Sequence, residues 1–277
     1  MVKYIVLHFS LLVVLGILLP TSPAAAVEGD SEDKERNVFA DALYGGETLV
    51  RDTAHILISP FRMSTRSAVQ LGVILAAGGL ILAYDQEIYD AVKRSADDFP
   101  LKQMVGVGEF LDPLGYGRMN VVYFGGLGVS YIADWDTGTS MFGQIITSFA
   151  VYGVLKRPVE ALVGRKRPYE GEGPYSFGND DATSFFSGHT VNVFNLATIL
   201  SHTVNRSWFT WTAYFCAASV GVQRIESDAH WPSDVFLSAA FAVAVSRGVI
   251  GLYENRKVAA MPLVGSDNVG VTLIMSF

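Results

Sequence analysis

The chain contains a single cysteine, Cys216, so no disulfide can form within it. Cys216 lies inside an apolar block and reads as a small buried hydrophobe. Charge is also scarce. Charged residues make up 17% of the chain, where soluble domains carry about a quarter. Basic residues are outnumbered, and the formal net charge is −7. That balance excludes nucleic acid as a partner, because a phosphate backbone needs a broad basic face. No internal repeat is evident.

Apolar residues, in contrast, are abundant. They account for 50% of the 277 positions and come in blocks, as in membrane helices or deeply buried ones. The first block resembles an export signal: Lys3, an apolar run from Tyr4 to Leu19, and the small residues Ala24-Ala25-Ala26. Residues 1–26 are therefore expected to be a signal peptide or an N-terminal membrane segment. Residues 27–66 are polar or amphipathic, and Val38 to Phe61 within them reads as one or two short amphipathic helices ended by Pro60. Ser67 to Tyr84 is uncharged and close to the length that spans a bilayer. Residues 85–117 carry charges and the prolines Pro100 and Pro113, and read as a long loop with a short helix in it.

Five further apolar segments follow: 120–135, 140–163, 188–204, 208–223 and 233–253. The expected fold is all-α, a bundle of about six apolar helices, membrane-embedded, with the helical domain over 67–255. The tail, 256–277, alternates Val269, Val271, Leu273, Met275 and Phe277 with Gly270, Thr272 and Ile274, as a terminal β-strand or hairpin would.

Three polar stretches interrupt these blocks: Arg165-Lys166-Arg167-Pro168, Ser184-Phe185-Phe186-Ser187-Gly188-His189, and Arg224 through His230 to Asp234. They fall after the third segment, before the fourth, and between the fifth and sixth. An up-and-down bundle brings those points to one end. His230 and Asp234, four apart, allow a carboxylate to fix the imidazole tautomer and leave the other ring nitrogen free to attack phosphorus. Arg224 can fork onto phosphate oxygens. Ser187 suits a helix N-cap, and Gly188 lets backbone approach an anion at the helix start. His189 can serve as general acid.

This pattern resembles the type 2 phosphatidic acid phosphatase superfamily, whose members include bacterial membrane lipid phosphatases, soluble acid phosphatases and vanadium haloperoxidases. Its pattern is K-x6-R-P, then P-S-G-H, then S-R-x5-H-x3-D. The resemblance covers about residues 118–250. It implies His230 as the nucleophile forming phosphohistidine, Asp234 orienting it, and His189 as general acid. Arg167, Ser187, Gly188 and Arg224 would hold the phosphoryl oxygens. It implies no metal and no cofactor, because guanidinium groups supply the charge stabilisation.

Three positions depart from the pattern: Phe186 replaces proline, Gln223 replaces serine, and Glu160 stands where lysine is expected. Lys156, one helical turn before Glu160, or Lys166 could supply the missing cation, with Glu160 pairing to a neighbour. The expected activity is hydrolysis of a phosphomonoester or diphosphate of a lipid, with the membrane as partner. The site would belong to the bacterial envelope, periplasm-facing at the inner membrane or within the periplasm. The alternatives are a soluble periplasmic acid phosphatase with the same site, and a membrane protein made inactive by Glu160.

Overall fold

The structure, a computed structural model, describes residues 38–179, 181–256, 258–264 and 269–275. The expected signal segment lies outside them. Nine α-helices occur among the described residues. They are α1 (Val38–Ile58), α2 (Thr65–Ala83), α3 (Asp85–Ser95), α4 (Leu101–Leu111), α5 (Asn120–Ile132), α6 (Asp136–Val163), α7 (Gly188–Val204), α8 (Ser207–Glu226) and α9 (Pro232–Arg256). Two strands, β1 (Val258–Val264) and β2 (Val269–Met275), pair antiparallel. The chain divides after Gly46, and the compact unit from Glu47 onward contains every motif residue.

The six apolar segments are α2 and α5 to α9. Two stretches differ from expectation. Residues 38–58 form one helix rather than one or two short pieces. Residues 85–117 hold two helices rather than one. Pro100 occupies the N-cap position of α4, and Pro113 opens the 3₁₀ turn that follows it, so these prolines bound a helix without breaking it. In α3, Asp85 and Glu87 occupy the first turn and Lys93 and Arg94 the last, which matches the helix dipole at both ends.

The core follows from how α7 is surrounded. Helices α6, α8 and α9 pack around it. Ile145 and Ile146 of α6, Leu196 and Ile199 of α7 and Ile250 of α9 form one apolar cluster. Val193 and Ala197 of α7 meet Ala217 and Val220 of α8 in another. Two polar residues of α7, Asn192 and Asn195, are buried. Ser246 Oγ donates to Asn195 Oδ1 at 2.6 Å, and Asn192 Nδ2 donates to the Gly115 carbonyl at 2.6 Å. Interhelical bonds of this kind satisfy polar groups inside a membrane bundle.

Two helices among the described residues are long and apolar enough to cross a membrane, Thr65–Ala83 and Pro232–Asn255, with mean hydropathy of 1.7 and 1.9. The first is almost uncovered: Val69, Val73, Leu75 and Leu80 are all exposed. An exposed apolar face of that length is satisfied by lipid. After alkaline carbonate extraction of expressing cells, the protein is expected in the membrane pellet. Recovery in the supernatant would contradict a lipid-facing α2.

Candidate active site

Helix α6 ends at Gly164, whose φ of +54° closes the C-cap, with its N–H donating to the Glu160 carbonyl at 2.8 Å. A Cβ there would lie 2.5 Å from the Asn179 nitrogen, so only glycine fits the turn that launches Arg165 to Arg167 into the site. The Arg165 carbonyl accepts from the Ser184 N–H at 3.0 Å, tying the first motif to the second. The Arg224 carbonyl accepts from the N–H groups of Ala229 and His230, at 3.1 and 3.2 Å, and so folds the loop that presents His230. Trp231 Nε1 donates to the Lys166 carbonyl at 2.9 Å, tying the third motif to the first.

His230 is buried, with 2% of its surface exposed. Its Nδ1 lies 2.6 Å from the Ser184 carbonyl. A carbonyl can only accept, so Nδ1 carries the proton and Nε2 keeps its lone pair in the neutral ring. Burial holds the His230 pKa well below the ordinary histidine value. Arg167, Arg224 and His189 push in the same direction, against the bond to Ser184.

Here the sequence expectation for Asp234 is corrected. The structure shows no hydrogen bond from the His230 ring to its carboxylate. Asp234 accepts from Arg165 Nη1 at 2.6 Å, Ser184 Oγ at 2.5 Å and the Trp231 N–H at 3.1 Å. A ring nitrogen and a carboxylate four residues apart could pair directly. Instead, the chain interposes Ser184, bonded to Asp234 through its hydroxyl and to His230 through its carbonyl. Asp234 thus reaches the imidazole by way of one residue.

His189 sits in the first turn of α7, edge-on to Tyr116 with ring centroids 4.8 Å apart. Its pKa is lowered by burial and then by Arg224, with smaller contributions from Arg167 and Lys156, while Asp112 opposes them. His189 Nε2 lies 3.5 Å from Asp112 Oδ1, a close contact without hydrogen-bond geometry. Arg224 Nη1 donates to the same Asp112 oxygen at 3.0 Å. Arg167 Nη2 donates to the Thr183 carbonyl at 3.1 Å. The Nε atoms of Arg167 and Arg224 and Nε2 of His189 are buried with no protein hydrogen-bond partner. A buried donor without an acceptor costs about 1–3 kcal/mol. The side chains that carry these three atoms all act on the His230 imidazole, and unpaired buried polar atoms of this kind are common at binding sites.

Ser187 is placed at the N-cap of α7 but makes no capping bond through its side chain. Its hydroxyl pairs with Thr190 Oγ1 at 2.8 Å and its N–H donates to Ser238 Oγ at 2.9 Å. Ser187 thus takes the expected N-cap position without a capping bond from its side chain. Gly188 packs against Tyr152, where a Cβ would stand 2.9 Å from the hydroxyl. Helix starts in general leave their first N–H groups without partners inside the helix, which suits an anion.

Glu160 is buried beside Arg157 Nη1 at 3.4 Å and Lys156 Nζ at 3.9 Å. It pairs with neighbouring cations, as the sequence allowed. Lys166 does not take the vacant lysine role, since its Nζ meets Glu172 at 3.0 Å and Glu170 at 3.6 Å. Phe186 fills the place of the pattern's proline by stacking on Phe241, with centroids 4.7 Å apart, over the cluster of Tyr152, Val191 and Ala242. Sequence reasoning missed Asp112, which carries no motif signal. It also missed Asp85, whose signal was available: a carboxylate directly after a long apolar run is expensive unless paired.

Residues 138–257, which hold all three motifs, match the family model of the PAP2 superfamily. Over 80 residues the chain is 36% identical to a lipid A 1-phosphatase of Porphyromonas gingivalis, a stretch covering 26% of this chain and 18% of that relative. The chain therefore matches less than a fifth of the relative's length. Among solved structures, Aquifex aeolicus LpxE aligns with a TM-score of 0.44 at 19% identity, covering 60% of this chain and 94% of that one. A transmembrane PAP2-type phosphatidylglycerolphosphate phosphatase from Bacillus subtilis aligns with a TM-score of 0.44 at 21% identity, covering 66% and 95%.

A ring whose folded-state pKa lies below its unfolded value binds fewer protons folded than unfolded between those values. Stability then rises with pH through that window and is lost as pH falls below about 6.5. Both site histidines are depressed in this way. The Tm is expected to be lower at about pH 5 than at about pH 7, and His230→Gln should narrow the difference. An unchanged difference in His230→Gln would contradict a buried neutral ring at this position.

Proposed function

We propose that the chain is a phosphatase that cleaves a phosphomonoester or diphosphate of a lipid by way of a phosphohistidine on His230. The observation that carries this reading is the Nδ1 bond to the Ser184 carbonyl, which leaves Nε2 of a neutral, buried imidazole as the nucleophile. Nε2 attacks phosphorus, and the bond from phosphorus to the lipid oxygen breaks. His189, made cationic by the approaching anion, gives its proton to that oxygen. Water, deprotonated by His189, then attacks the phosphohistidine, releasing inorganic phosphate and restoring His230.

Arg167 and Arg224 hold the equatorial oxygens through donors that meet no protein acceptor. The first turn of α7, from Gly188, adds backbone N–H groups. Lys156 adds charge from the rim, where it already acts on His189. Asp234 works through Ser184 as a positioning residue. The guanidiniums stabilise the developing charge, so the reaction uses no metal.

The lipid part of the proposal rests on the exposed apolar length of α2 and on the partial likeness to a lipid A 1-phosphatase. In the bacterial envelope the site would face the periplasm. The neutralisation of Glu160 by Arg157 and Lys156 favours a working enzyme over an inactive relative.

The test is phosphate release by the detergent-solubilised full chain from phosphatidate, phosphatidylglycerophosphate, undecaprenyl diphosphate, lipid A and a small aryl phosphate. At least one lipid is expected to turn over faster than the aryl ester, with activity retained in excess EDTA. His230→Ala should lower kcat by about a thousandfold or more, and Lys156→Ala should raise KM. No release from any lipid, or full activity in His230→Ala, would overturn the proposal. An unchanged KM in Lys156→Ala would remove that residue from the site.

A further inference from the structure

Asp85 is fully buried where α2 passes into α3, at the end of a helix long and apolar enough to cross a membrane. It touches none of the phosphate-binding groups. Its Oδ1 accepts from the Ser233 N–H at 2.8 Å, and its Oδ2 accepts from Ser233 Oγ at 2.5 Å and Arg165 Nη2 at 2.6 Å. Arg165, 2% exposed, spends its other donors on the Pro174 carbonyl, Ser233 Oγ and Asp234 Oδ1. Asp234 in turn accepts from Ser184 Oγ, and the Ser184 carbonyl accepts from His230 Nδ1.

The sequence thus closes a buried line of charge-assisted bonds from Asp85 to the ring. Buried ion pairs add little net stability compared with apolar packing of the same volume. A carboxylate beside a membrane-length helix is dearer still. What this network does provide is geometry. Ser184 is held at its N–H by the Arg165 carbonyl, at its hydroxyl by Asp234 and at its carbonyl by His230. Arg165 joins the two carboxylates of this line, and Asp85 is the one that fixes the far side of its guanidinium.

We propose that Asp85 is a positioning residue for His230, holding the ring in the Nδ1–H tautomer through Arg165, Asp234 and Ser184. The kinetic consequence rests on the phosphatase reading above; the tautomer itself does not. Groups that orient the reacting ones without touching the reacting atoms commonly matter by about 10- to 100-fold.

The test uses Asp85→Asn in the full chain in detergent, with Ser233→Ala as a second variant that removes one Asp85 bond without changing charge. Nitrogen NMR of histidine-labelled protein, with His230 assigned by the signal lost in His230→Ala, reads the tautomer. Wild type is expected to show a protonated Nδ1 and bare Nε2, and both variants a mixture of tautomers. In turnover assays kcat should fall about 10- to 100-fold in Asp85→Asn with KM within about twofold, and less in Ser233→Ala.

A folded Asp85→Asn with an unchanged tautomer and unchanged kcat overturns the proposal, as does a raised KM with kcat intact. If Asp85→Asn does not fold, an unchanged tautomer in Ser233→Ala overturns it. A tautomer shift in a protein whose wild type hydrolyses nothing would sustain the role of Asp85 and remove the phosphatase reading. Wild-type turnover with unaffected variants would do the reverse.

Discussion

One hydrogen bond sets the chemistry of this molecule: the donation from His230 Nδ1 to the Ser184 carbonyl at 2.6 Å. A backbone carbonyl cannot change protonation state, so it assigns the tautomer without ambiguity. It also leaves the Asp234 carboxylate free for Ser184, Arg165 and the start of α9. The carboxylate–histidine pairing read from a four-residue spacing is replaced by a bond through a residue 50 positions earlier in the chain. Tautomer control is kept, while the ring is spared a negative charge that would raise its pKa and favour protonation.

Around this bond the charges are arranged in opposition. Arg167 and Arg224 act on both imidazoles, and each keeps a buried donor that no protein atom satisfies. Asp112 and Glu160 limit the resulting self-repulsion, the former beside Arg224 and His189, the latter beside Lys156 and Arg157. An incoming phosphate would complete the balance by accepting from the unpaired donors. It would also raise the pKa of His189, which the surrounding cations now depress, and so prepare the acid for the leaving oxygen.

The six apolar helices and the three polar motifs were legible in the sequence because each has a local signature: hydrophobic blocks for α2 and α5 to α9, and residue spacing for Arg167, Ser187 to His189, Arg224 and His230. The rest depended on distant contacts. Asp85 meets Ser233 across 148 residues, and no local pattern announces such a pair. Asp112 became visible only when the 3₁₀ turn after α4 brought it to Arg224, 112 residues away. Residues 85–117 read as mostly loop because proline usually breaks a helix, whereas Pro100 and Pro113 stand at the two boundaries of α4. Glu160 looked damaging from its position alone, and its neighbours on α6 show why it is tolerated.

The central claim is that His230 forms a covalent bond to phosphorus, and a quench during turnover of a radiolabelled lipid phosphate tests it most directly. The account predicts a protein-bound label that is stable to base, labile to acid, carried on the peptide containing His230, and missing from His230→Ala. Label on a serine or carboxylate, or steady turnover with no protein-bound label at any quench time, would contradict it.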